Sequence, residues 1–320
     1  MRASPPFTIR TDERKVKLQA QPMTVTVTGA SGKLGVHVCR ALVNAGHCVR
    51  ATDKLSRRRV PVKVELMDLM DRDACYRLVA ASDAVVHLAN YSDMVISDVQ
   101  KLFNENVAMN MNVFQAAQET GVRHIVFSSS IQVLGEHSSP EADPRACVPY
   151  LPLDGDAPAN PSNAYALSKQ VGEVMLQYFA RGQMNCVAIR YPWLIEPAKH
   201  DFSRREIRCV KKVDGVFSYL SFGDAAELVA AVLAAPLPGF RIYMPAHPKN
   251  RLGRAAAEVI REYYPGIPLR RSLEEIESLI DISRIQNETG WSPTGSTCPR
   301  GWNPFQIALG ATENFAQASG

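Results

Sequence analysis

Apolar residues in this chain alternate between two rhythms. Runs rich in β-branched residues at 24–28, 48–52, 62–66, 84–89, 124–129 and 187–191, with a short one at 241–244, read as strands. Segments with apolar positions three and four apart predict helices at 35–44, 99–119 and about 162–181, while 219–235 turns helical in its later part. Strands and helices in alternation imply an α/β fold, a doubly wound parallel sheet covered by helices on both faces. The pattern is irregular from Tyr191 to about Gly215, and 252–264 and 273–291 read as mainly helical. Residues 292–320, rich in Gly, Pro, Ser and Thr, are expected to wrap the surface or fray.

Where the first strand meets the first helix, Gly29, Gly32 and Gly35 stand at G-x-x-G-x-x-G spacing. Gly29 permits a tight turn, Gly32 lets the backbone approach a pyrophosphate, and Gly35 lets the helix pack near the strand. Phosphates would sit on the helix N-terminus, where the dipole stabilises an anion by roughly 0.3–2 kcal/mol. Ser31, Lys33 and Leu34 complete the loop as candidate cofactor contacts. The second strand leads into Asp53, 18 residues beyond Gly35. A carboxylate there accepts both ribose hydroxyls of an adenosine, in charged hydrogen bonds worth about 1.5–3 kcal/mol. It also repels a 2′-phosphate, which selects NAD; Lys33, Arg57, Arg58 and Arg59 are the opposing feature, cations able to pair with that phosphate. Asp68, followed by Leu69, is placed to meet the adenine amino group, and the fourth strand ends in Leu88 and Ala89 where the cofactor would lie. His87 within that strand reads as a packed core histidine.

A chain of 320 residues, 46% hydrophobic, can bury one large or two modest cores. No apolar run reaches the roughly 18 residues needed to span a bilayer. The formal charge of +4 is diffuse, so clusters such as Lys211-Lys212 read as solvated surface and no nucleic-acid face is expected. Seven cysteines without C-x-x-C spacing read as buried thiols of a reducing cytoplasm, with neither disulfides nor a metal site. Residues 1–22 are polar and lack an apolar core, so they read as a disordered extension and not as a secretory signal.

The second constellation is Ser130, Tyr165 and Lys169. A hydride leaves a carbinol carbon only if the hydroxyl proton leaves too, so the site needs a base beside the nicotinamide. Tyrosine, with an unperturbed pKa of about 10, is a poor base at neutral pH. Lys169, one helical turn beyond Tyr165, supplies an ammonium that favours the phenolate, and it can bond the nicotinamide ribose. Ser130, at the end of the fifth strand, supplies a hydroxyl to hold the substrate oxygen.

With these motifs in place the chain resembles the extended short-chain dehydrogenase/reductases, or NAD-dependent epimerase/dehydratase family, from Met23 to about Pro293. The matching stretches include TGASGKLG (28–35), HLA (87–89), NVAMNMNVFQAA (106–117), SSSIQVLG (128–135), PSNAYALSK (161–169), RYPWLIEP (190–197) and DISRIQNETGW (281–291). The resemblance implies Ser130, Tyr165 and Lys169 as catalytic, and Gly29, Gly32, Gly35, Asp53, Asp68, Leu88, Asn106 and Tyr191 as cofactor contacts. It also implies a Rossmann domain formed by 23–191 with 219–245, a smaller C-terminal substrate-binding lobe formed by 192–218 with 246–297, and a tail at 298–320. A homodimer through two helices, one carrying Tyr165, is what the family would suggest.

Departures from the family pattern narrow the chemistry. Nucleotide-sugar dehydratases in the family resemble one another in an Asp-Glu pair after the catalytic hydroxyl, where this chain has Ile131 and Gln132. Members that bind nucleotide sugars usually have asparagine in place of Trp193 and glycine in place of Glu196. Their Arg-x-Gly-Asp-like stretch is not recognisable between Leu269 and Asp281, which leaves Arg204, Arg205, Arg208, Arg270 and Arg271 as candidates for a diphosphate. Trp193 is the candidate substrate contact, stacking on a sugar ring or simply packing. The leading expectation is a nucleotide-sugar 4-epimerase, followed by a dehydrogenase of a free sugar, uronate or other small hydroxy compound. A non-catalytic dinucleotide sensor comes third, since it has no need of the tyrosine.

Overall fold

Six parallel pairings join seven strands, β1 (Thr24–Thr28), β2 (Cys48–Asp53), β3 (Val64–Leu66), β4 (Ala84–His87), β5 (His124–Ser130), β6 (Asn185–Tyr191) and β9 (Phe240–Tyr243). They lie in the order β3-β2-β1-β4-β5-β6-β9, so the winding reverses between β1 and β4 and opens a crevice at their carboxyl ends. In the computed structural model, residues 21–56, 58–92, 98–135, 147–196, 214–235 and 237–294 are described. The sequence expectations for residues 1–20, Arg57, the first part of the loop at 136–161, Arg204, Arg205, Arg208, Lys211, Lys212 and the tail lie outside them.

Every residue of β4 is buried, as expected of a central strand covered on both faces. On one face α1 (Lys33–Asn44) packs against α5 (Phe222–Ala234), with Val38, Leu42, Leu228 and Val229 in a core that reaches Val25 and Val27 of β1. On the other, α2 (Arg72–Val79), α3 (Val99–Glu119) and α4 (Ala164–Phe179) enclose Phe114, Phe127, Leu176 and Phe179. Helix starts follow from short polar side chains: Asp71, Asp98, Asn163 and Ser221 each accept a backbone N–H of the first turn. His87 is 0% exposed and sits between Thr28 Oγ1 (2.7 Å) and Asn110 Oδ1 (3.0 Å). Burial pushes its pKa down to about 3, with the Lys169 charge adding to the effect, which suits the core role read from the sequence.

The structure departs from the sequence pattern mainly beyond β6. Trp193–Ile195 forms a strand, β7, paired in parallel with β8 (Tyr219–Ser221) in a separate two-stranded sheet. Its partner is remote in sequence, so local alternation in an irregular stretch carries no sign of it. The expected helices at 252–264 and 273–291 shrink to α6 (Ala256–Tyr263), a 3₁₀ turn at Leu273–Glu275 and α7 (Ser283–Thr289). The chain between is bridged to the segment before α4, Leu269 to Leu151 and Ile280 to Leu153, and Pro265 and Pro268 break the helical path. These segments share a further core that includes Leu151, Phe217, Met244, Val259, Tyr264 and Ile280.

A buried ion pair ties α4 to the sheet. Glu173 accepts from Arg190 Nε (2.9 Å) and Nη2 (2.8 Å) and from Ser129 Oγ (2.6 Å), while Arg190 Nη1 donates to Ala157 O (2.6 Å). Both side chains are almost wholly buried, and the pair lies one helical turn beyond Lys169.

Candidate active site

The glycine loop is built from backbone that a side chain would obstruct. Gly29 has φ +66°, and a Cβ there would lie 2.7 Å from Ala89 N, so β1 and the end of β4 meet at a distance only glycine allows. A Cβ on Gly32 would lie 3.0 Å from Gly29 O, and one on Gly35 only 2.2 Å. Gly35→Ala is therefore expected to push the loop out of shape and weaken NAD binding by about 10- to 100-fold, in line with overpacking costs of about 1–3 kcal/mol. Calorimetric titration with NAD checks this, and native affinity in the variant would contradict it.

Beyond the loop lies a cleft of about 330 Å³ at the carboxyl ends of β1, β2 and β4, lined by Gly29, Gly32, Asp53, Asp68, Leu69, Leu88 and Ala89 among others. Asp53 Oδ2 accepts from Ser31 N (2.9 Å) and lies 2.8 Å from Ser31 Oγ, so the carboxylate also holds the loop. Asp68 pairs with Lys54 Nζ at 2.8 Å, and this partner with the Met70 N–H holds its carboxyl below the usual range. Ser31 is buried, Lys33 is exposed and Leu34 packs against the core; none of the three is among the described residues lining the cleft. Asn106 lies behind the cleft, its amide accepting from Tyr91 N and donating to Tyr91 O, both at 2.9 Å. Arg58 lines the cleft and donates to Ser31 O at 3.1 Å. The donor set fits a dinucleotide: a loop of close-set glycines at the N-terminus of α1 for a pyrophosphate, and Asp53 and Asp68 for an adenosine.

Tyr165 is in the first turn of α4, a helix started by Asn163 Oδ1, which accepts from Ala166 N at 2.8 Å. Lys169 is 2% exposed. Its Nζ lies 5.6 Å from the centroid of the Tyr165 ring and 4.9 Å from that of Phe127, and it donates to Ser128 O at 2.6 Å. The ammonium thus links the tyrosine to β5 two residues before Ser130. Burial pushes the Lys169 pKa down from 10.5 to about 7, with Glu173 acting in the opposite direction. The folded chain holds this proton less tightly than the unfolded one, so stability rises with pH between about 7 and 10.5. Lys169→Met removes that penalty, and a Tm about 2–6 °C higher than native is expected at pH 7, the gain shrinking toward pH 10.5. Thermal unfolding at several pH values tests it; a variant less stable than native at pH 7 would show that the lysine's contacts outweigh its burial.

Ser130 is 8% exposed and opens a 3₁₀ turn, Ile131–Leu134, its Oγ accepting from Gln132 N at 3.2 Å. It lines a second cleft of about 260 Å³ together with Gln132, Tyr191, Trp193, Ser218 and Arg251. Strand pairing sets Ser130 opposite Tyr191, whose hydroxyl is buried without a hydrogen-bond partner among the described residues and whose pKa burial pushes up. The structure thus brings Ser130, Tyr191 and Trp193 to one cleft and Gly29 and Gly32 with Asp53 and Asp68 to another, with Gly35 packed beneath the loop and Lys169 reaching the strand that ends in Ser130. Arg270 and Arg271 are engaged elsewhere, with Asp154 and Asp281, and neither lines the second cleft. Sequence reading missed Arg251: it lies in an irregular stretch 58 residues beyond Trp193, and no spacing signals it.

The reversed sheet order, the glycine loop and the carboxylate at the tip of β2 define a dinucleotide-dependent enzyme of the doubly wound class. The chain belongs to the NAD dependent epimerase/dehydratase family, whose model matches residues 25–235. NAD is accordingly its cofactor. It is 31% identical over 221 residues to a uronate dehydrogenase of Pseudomonas syringae pv. tomato, covering 68% of this chain and 71% of that protein. It is 33% identical over 168 residues to a UDP-glucose 4-epimerase of Azospirillum brasilense, covering 48% of this chain and 43% of that protein. The crystal structure of uronate dehydrogenase from Agrobacterium tumefaciens shares the fold, with a TM-score of 0.58 at 23% identity over 88% of this chain and 91% of that one.

Proposed function

We propose that the chain is an NAD-dependent dehydrogenase of a free sugar, uronate or similar small hydroxy compound, with the substrate in the cleft between Ser130 and Trp193. The observation that carries this reading is the position of Trp193. The indole lines the same cleft as Ser130, where a flat apolar ring can stack on a pyranose. The curated relative matched over the larger share of its length is a uronate dehydrogenase, which supports the same order of readings.

In this reading Ser130 orients the substrate hydroxyl and Tyr165 removes its proton. Lys169, fixed by Ser128 O, favours the phenolate and holds the tyrosine in register. When bound, NAD supplies the acceptor for the hydride. Gly29 and Gly32 would receive its pyrophosphate at the start of α1, where Gly35 lets the helix approach the strand, and Asp53 its adenosine ribose. The reading takes 23–191 with 219–245 as the cofactor domain and 192–218 with 246–297 as the substrate lobe; Phe217, Val259 and Tyr264 of that lobe share a core, to which Leu151 and Leu153 of the first segment also contribute. A homodimer through α3 and α4 accounts for the exposed Met111, Leu167, Val174 and Tyr178 on those helices. Cys39, Cys75 and Cys186 are buried thiols, which suits a cytoplasmic enzyme, whereas Cys48 is exposed where the sequence reading expected burial.

A nucleotide-sugar 4-epimerase is the second reading, favoured by the match to the Azospirillum brasilense 4-epimerase and needing no residue beyond Ser130, Tyr165 and Lys169. Calorimetry on NAD-loaded protein with UDP, GDP, dTDP, CDP and ADP separates the two. The dehydrogenase reading expects no binding from any of the five, and micromolar binding of one would make its sugar conjugate the substrate.

A further inference from the structure

The substrate cleft holds a neutral amide for which the transfer of hydride and proton has no use. Gln132 is half-buried and lines the cleft beside Ser130, at the place where the sequence departs from the acidic pair of the family's dehydratases. It is the only polar side chain of the 3₁₀ turn Ile131–Leu134, whose other members are buried in the core that includes Leu151 and Phe217. The turn is fixed at both sides. Gly135 N donates to Gln132 O at 2.9 Å and Asn160 N donates to Val133 O at 2.7 Å, with Gly135 closing the turn at a φ of 93°.

The hydrogen bonds of this turn leave particular donors and acceptors over. Ser130 Oγ accepts from Gln132 N at 3.2 Å and has no other partner among the described residues, so its own proton is left to donate. Gln132 Oε1 lies 3.5 Å from Asn163 Nδ2, at the outer limit of a hydrogen bond, and Gln132 Nε2 donates to none of the described residues. Asn163 is the residue that starts α4, two positions before Tyr165. Gln132 thus touches Ser130 through its backbone and, through its side chain, the start of the helix that carries the base.

A carboxamide both donates and accepts, as a hydroxyl does, and unlike a carboxyl group it holds no proton to give to a leaving hydroxide. We infer that Gln132 binds the substrate hydroxyl on the carbon adjoining the carbinol, so that the site selects vicinal diols. Ser130 O–H then donates to the oxygen being oxidised, whose proton passes to Tyr165 as the hydride passes to NAD. The amide holds the neighbouring oxygen, which stays a hydroxyl in the product. Two oxygens on adjoining carbons are met by two groups two residues apart on one fixed turn, which keeps the reacting carbon from slipping to its neighbour. This inference deepens the reading above and rests on its placing of the substrate at Ser130. It makes Gln132 a specificity-determining residue of the cleft.

The test compares native protein with Gln132→Met, which keeps the length of the side chain and removes the amide, and with Gln132→Glu, which keeps the acceptor and loses the donor. Glucose, galactose and their uronates are each set against two deoxy analogues, one lacking the hydroxyl next to the oxidised carbon and one lacking a hydroxyl further round the ring. The oxidised carbon is identified from the product, kcat/KM is read from NADH formation, and native affinity for NAD certifies that each variant is folded. The native protein is expected to favour the parent sugar over the adjoining deoxy analogue by about 10- to 100-fold in kcat/KM. In Gln132→Met that ratio should fall to about 2-fold or less, with Gln132→Glu intermediate, while the ratio for the remote deoxy analogue stays as in native protein. Equal ratios in native protein and Gln132→Met, or no native preference for the vicinal diol, would overturn the role of Gln132 and leave the dehydrogenase reading standing. If no sugar yields NADH, the dehydrogenase reading fails, and calorimetric binding of the same sugars to NAD-loaded protein decides on Gln132. A loss of binding confined to one deoxy position in native protein and absent in Gln132→Met would uphold it there, and its absence would overturn it.

Discussion

Tyr165→Phe is expected to lower turnover by about 10²- to 10⁴-fold or more while leaving NAD affinity nearly unchanged. The ring stays half-buried at the start of α4, facing the Lys169 ammonium, so the substitution removes the hydroxyl and little else. Without it no group on α4 is placed to take the substrate proton, since the Lys169 Nζ is bonded to Ser128 O. Single-turnover NADH formation under saturating NAD separates the lost chemical step from any change in binding. Full activity in the variant would refute the assignment of Tyr165 as the base.

A comparable effect, on stability, is expected from Arg190→Met. The substitution leaves the Glu173 carboxylate buried with Ser129 Oγ in place of three donors. Removing one member of a buried pair costs about 3–5 kcal/mol, because the charge left behind has neither water nor a counterion. Urea denaturation of Arg190→Met should show a loss of this size, and the double variant Glu173→Leu/Arg190→Met should recover much of it. A loss below about 1 kcal/mol would mean that solvent reaches the carboxylate despite its burial. The consequence reaches the site, because Ser129 precedes Ser130 and Arg190 also holds Ala157 O.

What the sequence made legible was whatever rests on local pattern. Helix α3 lies at 99–119, and the glycine loop and the carboxylate of Asp53 follow from spacing alone, because strand, turn and helix are contiguous there. The pair Tyr165 and Lys169 is equally local, two side chains one helical turn apart. Strand β7 and the cleft wall were not legible, because Trp193 is joined to Tyr219 and Arg251 to Phe217 by pairings of residues far apart in sequence. The stretch 273–291 misled in the opposite sense. Its apolar positions repeat at helical spacing, yet those at 276–280 serve a core shared with Leu151 and Leu153, and an extended path buries them better than a helix would. Lys33 and Leu34 show a further limit: sequence adjacency to a phosphate loop does not place a side chain in the cleft, because alternate positions of the first helical turn point to solvent and to the core.

The most direct test of the proposed activity is the absorbance of NADH at full turnover, with NAD-loaded protein mixed with galacturonate or glucuronate and excess NAD. Net oxidation of a free acidic sugar predicts NADH that accumulates in proportion to sugar consumed and disappears in Tyr165→Phe. Silence with every free sugar, together with interconversion of a UDP-sugar and its 4-epimer without net NADH, would contradict it and identify an epimerase.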